Sequence, residues 1–156
     1  MRKIVIGILF ISSFLYSYSM DYTKATTCLV RHLKVYKNPK WVSKIELANG
    51  KIIFFSSPKS MFEFYNRPGK WYELGVKSED DFKDIIVTDL TTLKPINAKG
   101  AFFVYGSSVT SPAGDDLPAF SSYESAKKFS KTYHGSRVLN FQEVSFGLIK
   151  LINGDI

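Results

Sequence analysis

The spacing of apolar and polar positions along this chain predicts strands and helices in alternation. Residues 20–40 are mostly polar, rich in Thr, Lys and Asn, with Asn38-Pro39 as a turn signal, and read as a loop or arm. From Trp41 to Leu47 apolar and polar residues alternate, the period of a half-buried strand. Asn49-Gly50 is a preferred pair for a two-residue hairpin turn, and Lys51 to Phe55 returns as the second strand. Ser57 is placed to cap a helix with Pro58 at its first position, where a missing N–H costs nothing. That helix carries Met61, Phe62, Phe64 and Tyr65 and ends before Asn66-Arg67-Pro68-Gly69. Residues 66–83 read as a connecting excursion, with Trp71 and Tyr72 candidates to fold back on the core or to meet a partner. Strands follow at Asp84–Leu90, Ala101–Tyr105 and Leu117–Phe120. Ser122 caps a second helix that runs to about Thr132. Arg137–Phe141 is the last strand, and Gln142–Lys150 a short closing helix.

The pattern repeats. Phe55-Ser56-Ser57-Pro58-Lys59-Ser60-Met61-Phe62-Glu63-Phe64 aligns with Phe120-Ser121-Ser122-Tyr123-Glu124-Ser125-Ala126-Lys127-Lys128-Phe129. Each copy ends a strand on Phe, caps a helix with Ser and buries a Phe further along it. Ser-rich helix starts also recur for capping reasons alone. Because strands precede the helix in both copies, the expected architecture is α+β, built from duplicated strand–strand–helix units around one core.

The N-terminus changes the picture. Arg2 and Lys3 precede an apolar run from Ile4 to Tyr16, and Ser17 and Ser19 place small residues before a cut at Ser19/Met20. A basic start, a short apolar stretch and a small-x-small exit define a cleavable secretory signal. A spanning helix needs about 20 apolar residues, more than this run offers. The expected organisation is therefore a signal peptide over 1–19, an N-terminal arm over 20–40 and an α+β domain over 41–156. No second long apolar stretch follows, so no transmembrane helix is expected in the mature chain. The mature chain is expected to be exported.

Charge adds little. The chain carries a formal +7, but its Lys and Arg are scattered, which suits a solvated surface. Export makes nucleic acid an unsuitable partner. An anionic membrane surface or an acidic partner is compatible with the charge.

Cysteine adds more. Cys28 is the single thiol, so it is either buried and inert, paired with another molecule, or kept reduced for a metal. No hydrolase elbow, phosphate-binding Gly loop or paired-cysteine zinc motif is present. The soft or borderline ligands are Met20, Cys28, His32, Met61 and His134, a set of thiolate, thioether and imidazole suited to Cu(I). Cys28 and His32 would share a face if the arm were helical. Met61 equally reads as core filler among aromatics, and His134 as a helix C-terminal residue. Asp115 and Asp116 read as a turn on a solvated surface, with ligation of a hard divalent ion as the other use.

Several segments together resemble the NosL-type nitrous-oxide-reductase accessory proteins. They are Cys28 through Trp41 to Tyr65, Val87-Thr88-Asp89, Ala101 through Val109, Pro112 through Phe120, and His134 through Phe141. The likeness runs over nearly the whole mature chain, in order and with matching gaps. It implies a periplasmic Cu(I)-binding accessory protein that helps assemble copper centres, and a fold related to part of the organomercurial lyases. It implies a chaperone rather than an enzyme, whose partner is a copper-receiving periplasmic or membrane protein. The resemblance matches Cys28 and Met61 to family positions; donor chemistry adds His32 beside Cys28, so the expected ligands are Cys28, His32 and Met61, with Met20 as the alternative third. The chain departs from the family pattern at two places. The opening Cys-x-x-Cys-Gly-Met keeps its first Cys as Cys28 but continues with Arg31, His32 and Leu33. The later Pro-Met-Gly-His becomes Pro112-Ala113-Gly114-Asp115. Those losses leave a second reading: the fold without metal, as a module docking on a periplasmic partner. Family members are usually lipid-anchored through a Cys at the signal's end. This signal has none, so a free periplasmic protein is expected.

Overall fold

The computed structural model describes residues 17–114 and 116–156. The proposed signal lies, for residues 1–16, outside the described residues. In the described chain the alternating segment after Trp41 forms β1 (Ser43–Leu47), which pairs antiparallel with β2 (Ile52–Phe55). The hairpin joins Leu47 to Lys51 through three residues rather than two, because Gly50 alone takes the left-handed backbone (φ 84°). A single left-handed glycine fits a three-residue connection. Next come α1 (Pro58–Asn66) and a short-helical excursion over Pro68–Leu74. This excursion is tied to the hairpin by Asn49 Nδ2 and Lys51 Nζ, which donate to the Leu74 and Glu73 carbonyls at 3.0 and 2.7 Å. Its Trp71 packs edge-on to Phe64 with centroids 5.6 Å apart, while Tyr72 stands 84% exposed.

The next strand, β3 (Phe82–Thr88), pairs with β1, and β4 (Pro95–Asn97) pairs with β3, giving the order β2-β1-β3-β4. β4 has no alternating pattern, and Pro95 at its start disguises it in the sequence; proline is tolerated there because the strand is an edge. β5 (Phe102–Tyr105), β6 (Ala119–Phe120), α2 (Tyr123–Thr132) and β7 (Arg137–Asn140) form the second sheet, ordered β6-β5-β7. α3 (Phe146–Asn153) closes the chain. It starts later than the sequence predicts because Ser145 caps it, accepting the Leu148 N–H.

The duplication is visible in detail. Each unit runs strand–strand–helix–strand, with the third strand returning to the free side of the first, all antiparallel. Ser57 Oγ accepts the Ser60 N–H and Ser122 Oγ accepts the Ser125 N–H, both at 3.2 Å. Two Asp residues lock each helix start to a distant segment. Asp116 Oδ1 accepts the N–H of Lys59 in the first turn of α1 at 3.1 Å. Asp89 Oδ2 accepts the Ser121 N–H, just before α2, at 2.8 Å, while its Oδ1 accepts from Thr91 and Thr92. The sheets meet where Leu90 N–H donates to the Ala119 carbonyl. The core between the units is aromatic: Phe62 of α1 lies 5.1 Å from Phe103 of β5 and 5.0 Å from Phe141, centroid to centroid. No helix among the described residues is long and apolar enough to cross a membrane.

The segment 20–40 is packed on this body. Cys28 and Val35 are fully buried in the main core cluster, and Met20, Tyr22, Leu29 and Val30 pack against it.

Candidate metal centre

The turn that carries Cys28 is held by its own backbone. Cys28 N–H donates to the Leu33 carbonyl and His32 N–H to the Cys28 carbonyl, both at 2.9 Å. Closing so short a loop forces His32 into the left-handed region (φ 57°), which His tolerates better than most side chains. The arm is thus a tight turn here rather than a helix, so the expected shared helical face is absent; a backbone bond joins Cys28 and His32, with the thiol buried and the imidazole exposed. Leu29 N–H donates to the Phe54 carbonyl at 2.9 Å, docking the turn on the outer edge of β2. The Cys28 thiol is free, 0% exposed, and its Sγ accepts the Arg31 N–H at 3.3 Å.

Met61 lies one turn into α1 and is also 0% exposed, in the same buried cluster as Cys28. Both belong to the large core cluster that also takes in Phe103, Leu117 and Leu139 of the second unit. His32 is exposed, on the outside of the turn. Met20 is half-buried and lines a separate cavity of about 380 Å³ with Tyr22, Pro39, Thr88 and Leu93; Cys28, His32 and Met61 take no part in its walls. His134 is exposed and left-handed (φ 58°), just past the C-terminal cap of α2, a helix-ending position. Asp115 lies outside the described residues. Asp116 is not on a solvated surface: it is buried, because its carboxylate supplies the cap that α1 takes from across the chain. Burial pushes its carboxyl up, and this outweighs the hydrogen bonding around it. Burial would push Asp89 up as well, but the bonds it accepts from Ser121, Thr92 and Thr91 hold it below the usual carboxylate range.

One arrangement had no counterpart in the sequence reading. Arg31 Nη2 donates to Glu63 Oε2 of α1 at 2.9 Å and to Asn153 Oδ1 at the end of α3 at 3.1 Å. Asn153 Nδ2 in turn reaches Glu63 Oε2 at 3.4 Å. The partners are 32 and 122 residues from Arg31, so no local pattern could reveal them. Beside the turn, a cavity of about 130 Å³ is walled by Leu33, Val35, Ser56 and Pro112. It brings Leu33 and Pro112, far apart in sequence, to one place.

Thiolate and thioether are the donor types that Cu(I) favours. A hard divalent ion would need several carboxylates, and among the described residues no three His, Cys, Asp or Glu side chains converge.

Comparison with known proteins gives two findings. The chain matches the NosL family over residues 19–149. Its fold matches the crystal structure of the copper chaperone NosL from Shewanella denitrificans with a TM-score of 0.70 at 23% identity, covering 85% of this chain and 98% of that one. No curated protein matches the chain.

Proposed function

The chain belongs to the NosL family, and from that premise we propose that it is an exported, periplasmic Cu(I) chaperone that hands copper to a copper-receiving protein and catalyses no reaction. The observation that supports this most is the placement of its single thiol. Cys28, where the resemblance puts the family's first cysteine, is free and buried, and Met61 belongs to the same core cluster. Copper is the cargo. Cys28 supplies the thiolate and Met61 the thioether. His32, one backbone turn from the thiol and exposed, supplies imidazole as the ion enters or leaves. Cu(I) binds a thiolate, so metal and proton compete for the sulfur.

The test is titration of the reduced protein with Cu(I) against a competing chelator. Wild type is expected to hold one ion and Cys28→Ser to lose most of its affinity, with Met61→Leu between them. Equal, weak binding by wild type and Cys28→Ser overturns the proposal.

The other reading, a metal-free module docking on a periplasmic partner, draws on Arg31, which stands where the family has a cysteine and is spent on Glu63 and Asn153. Partner capture that survives both chelation and Cys28→Ser would select it.

A further inference from the structure

A buried thiol can exchange copper only if something moves. Beyond the core packing of Cys28, Leu29 and Val30, the turn around Cys28 is held by hydrogen bonds on two sides. On one side a single backbone bond joins Leu29 to the edge strand β2. On the other, Arg31 spans the turn, α1 and the end of α3 through one guanidinium nitrogen. The three side chains bond one another in a closed set, and Glu63 is largely shielded from solvent, 13% exposed at its side chain. The guanidinium also sits at the C-terminal end of α3, where a cation is favoured by the helix dipole. The residue that clamps the turn is therefore also the one whose N–H rests on Cys28 Sγ.

We infer that the Arg31–Glu63–Asn153 junction is a latch that sets how often the Cys28 thiol reaches solvent. With the latch closed, Arg31 presses its segment onto the helices and the thiol stays in the core. Releasing Arg31 leaves the turn held by its core packing and, among the described residues, by the one Leu29 hydrogen bond to β2, so it can open at the left-handed His32 while the sheets remain intact. Arg31 is thus a positioning residue for the thiol, not a ligand. That the latch times copper exchange rests on the copper chaperone reading; that it guards the thiol does not.

The test is the rate at which a disulfide reagent labels Cys28 in the folded, reduced full-length protein, without metal. One cysteine makes the readout single-site. Loss of a hydrogen bond to a charged group is worth roughly tenfold in such an opening equilibrium. Arg31→Ala is expected to label about tenfold faster than wild type, Glu63→Gln several-fold faster, and Arg31→Lys to fall between Ala and wild type. The double variant Arg31→Ala/Glu63→Gln should label no faster than Arg31→Ala. The rates should depend weakly on urea, since a local opening exposes little surface. Where Arg31→Ala does not fold, the Lys and Gln variants carry the same comparison. Unchanged labelling in these variants overturns the latch, as does labelling whose urea dependence equals that of global unfolding. Labelling that behaves as stated, in a protein that fails the Cu(I) titration, leaves the latch standing and removes the copper reading. The reverse pair of results does the opposite.

Discussion

Asp89 offers the sharpest stability test, because its contribution can be switched off by mutation and by pH independently. It is 1% exposed and accepts three backbone N–H groups: Thr91 at 2.7 Å, Thr92 at 3.0 Å and Ser121 at 2.8 Å. The first two fix the turn after β3, and the third reaches across to the start of α2. In Asp89→Asn one side-chain oxygen can still serve the turn, but an NH₂ group then faces the Ser121 N–H, donor against donor. Losing one hydrogen bond to a charged acceptor costs ~1.5–3 kcal/mol. Against a usual stability of about 5–15 kcal/mol, that is a large fraction. With a urea slope of about 1–3 kcal/mol/M, the unfolding midpoint at pH 7 should fall by roughly 1 M. The pH dependence has a definite sign. The folded carboxyl titrates below the unfolded one. Its contribution is therefore complete above the unfolded value, near pH 4, and is lost as pH falls through the folded value. Wild type and Asp89→Asn should differ fully at pH 7 and converge in strong acid. Urea unfolding of both proteins across that range measures it. A difference under ~0.5 kcal/mol at pH 7, or one unchanged down to acid, would show that the carboxylate's charge does not join the two units.

Asp116 should behave in the opposite way. Its folded carboxyl is raised by burial, so ionisation costs stability as pH climbs from the unfolded value to the folded one. Asp116→Asn, which keeps an oxygen for the Lys59 and Leu117 N–H groups, should match or exceed wild type at neutral pH and lose that advantage in acid, by urea unfolding. A loss at neutral pH as large as that of Asp89→Asn would contradict this. Gly135→Ala would place a Cβ 2.5 Å from Val104 Cγ1 and 3.1 Å from the Ser130 Cα. Such overpacking costs ~1–3 kcal/mol and should lower the melting temperature by about 3–10 °C. An unchanged melting curve would mean that the turn after α2 packs less closely than described.

Most of the strand–helix order was legible because its signals are local. Alternation marks β1, Ser-Pro marks the start of α1, and the two Ser-capped helices announce the duplication. What escaped was set by distant partners. β4 exists because β3 offers an open edge to Pro95–Asn97, not because those residues favour a strand. Asp116 looked like a surface acid because nothing near it in sequence says that α1 needs a cap from across the chain. At the candidate site, residue types pointed to Cys28, His32 and Met61, and the structure separates them by environment: two in the core, one outside. Arg31 stood out in the sequence only as a departure from the resembled cysteine pattern, with nothing to say what it binds. Its place in a turn is local, but its meaning depends on Glu63 and Asn153, which only the folded chain brings near.

The central claim is that copper, when bound, is held by the Cys28 sulfur in a sulfur-rich shell. X-ray absorption at the copper edge, on protein loaded with one Cu(I), reads those neighbours directly. The account predicts sulfur in the first shell of wild type, a shell poorer in sulfur for Met61→Leu, and loss of stoichiometric loading in Cys28→Ser. A first shell of nitrogen and oxygen alone in wild type, or an identical spectrum in Cys28→Ser, would contradict it.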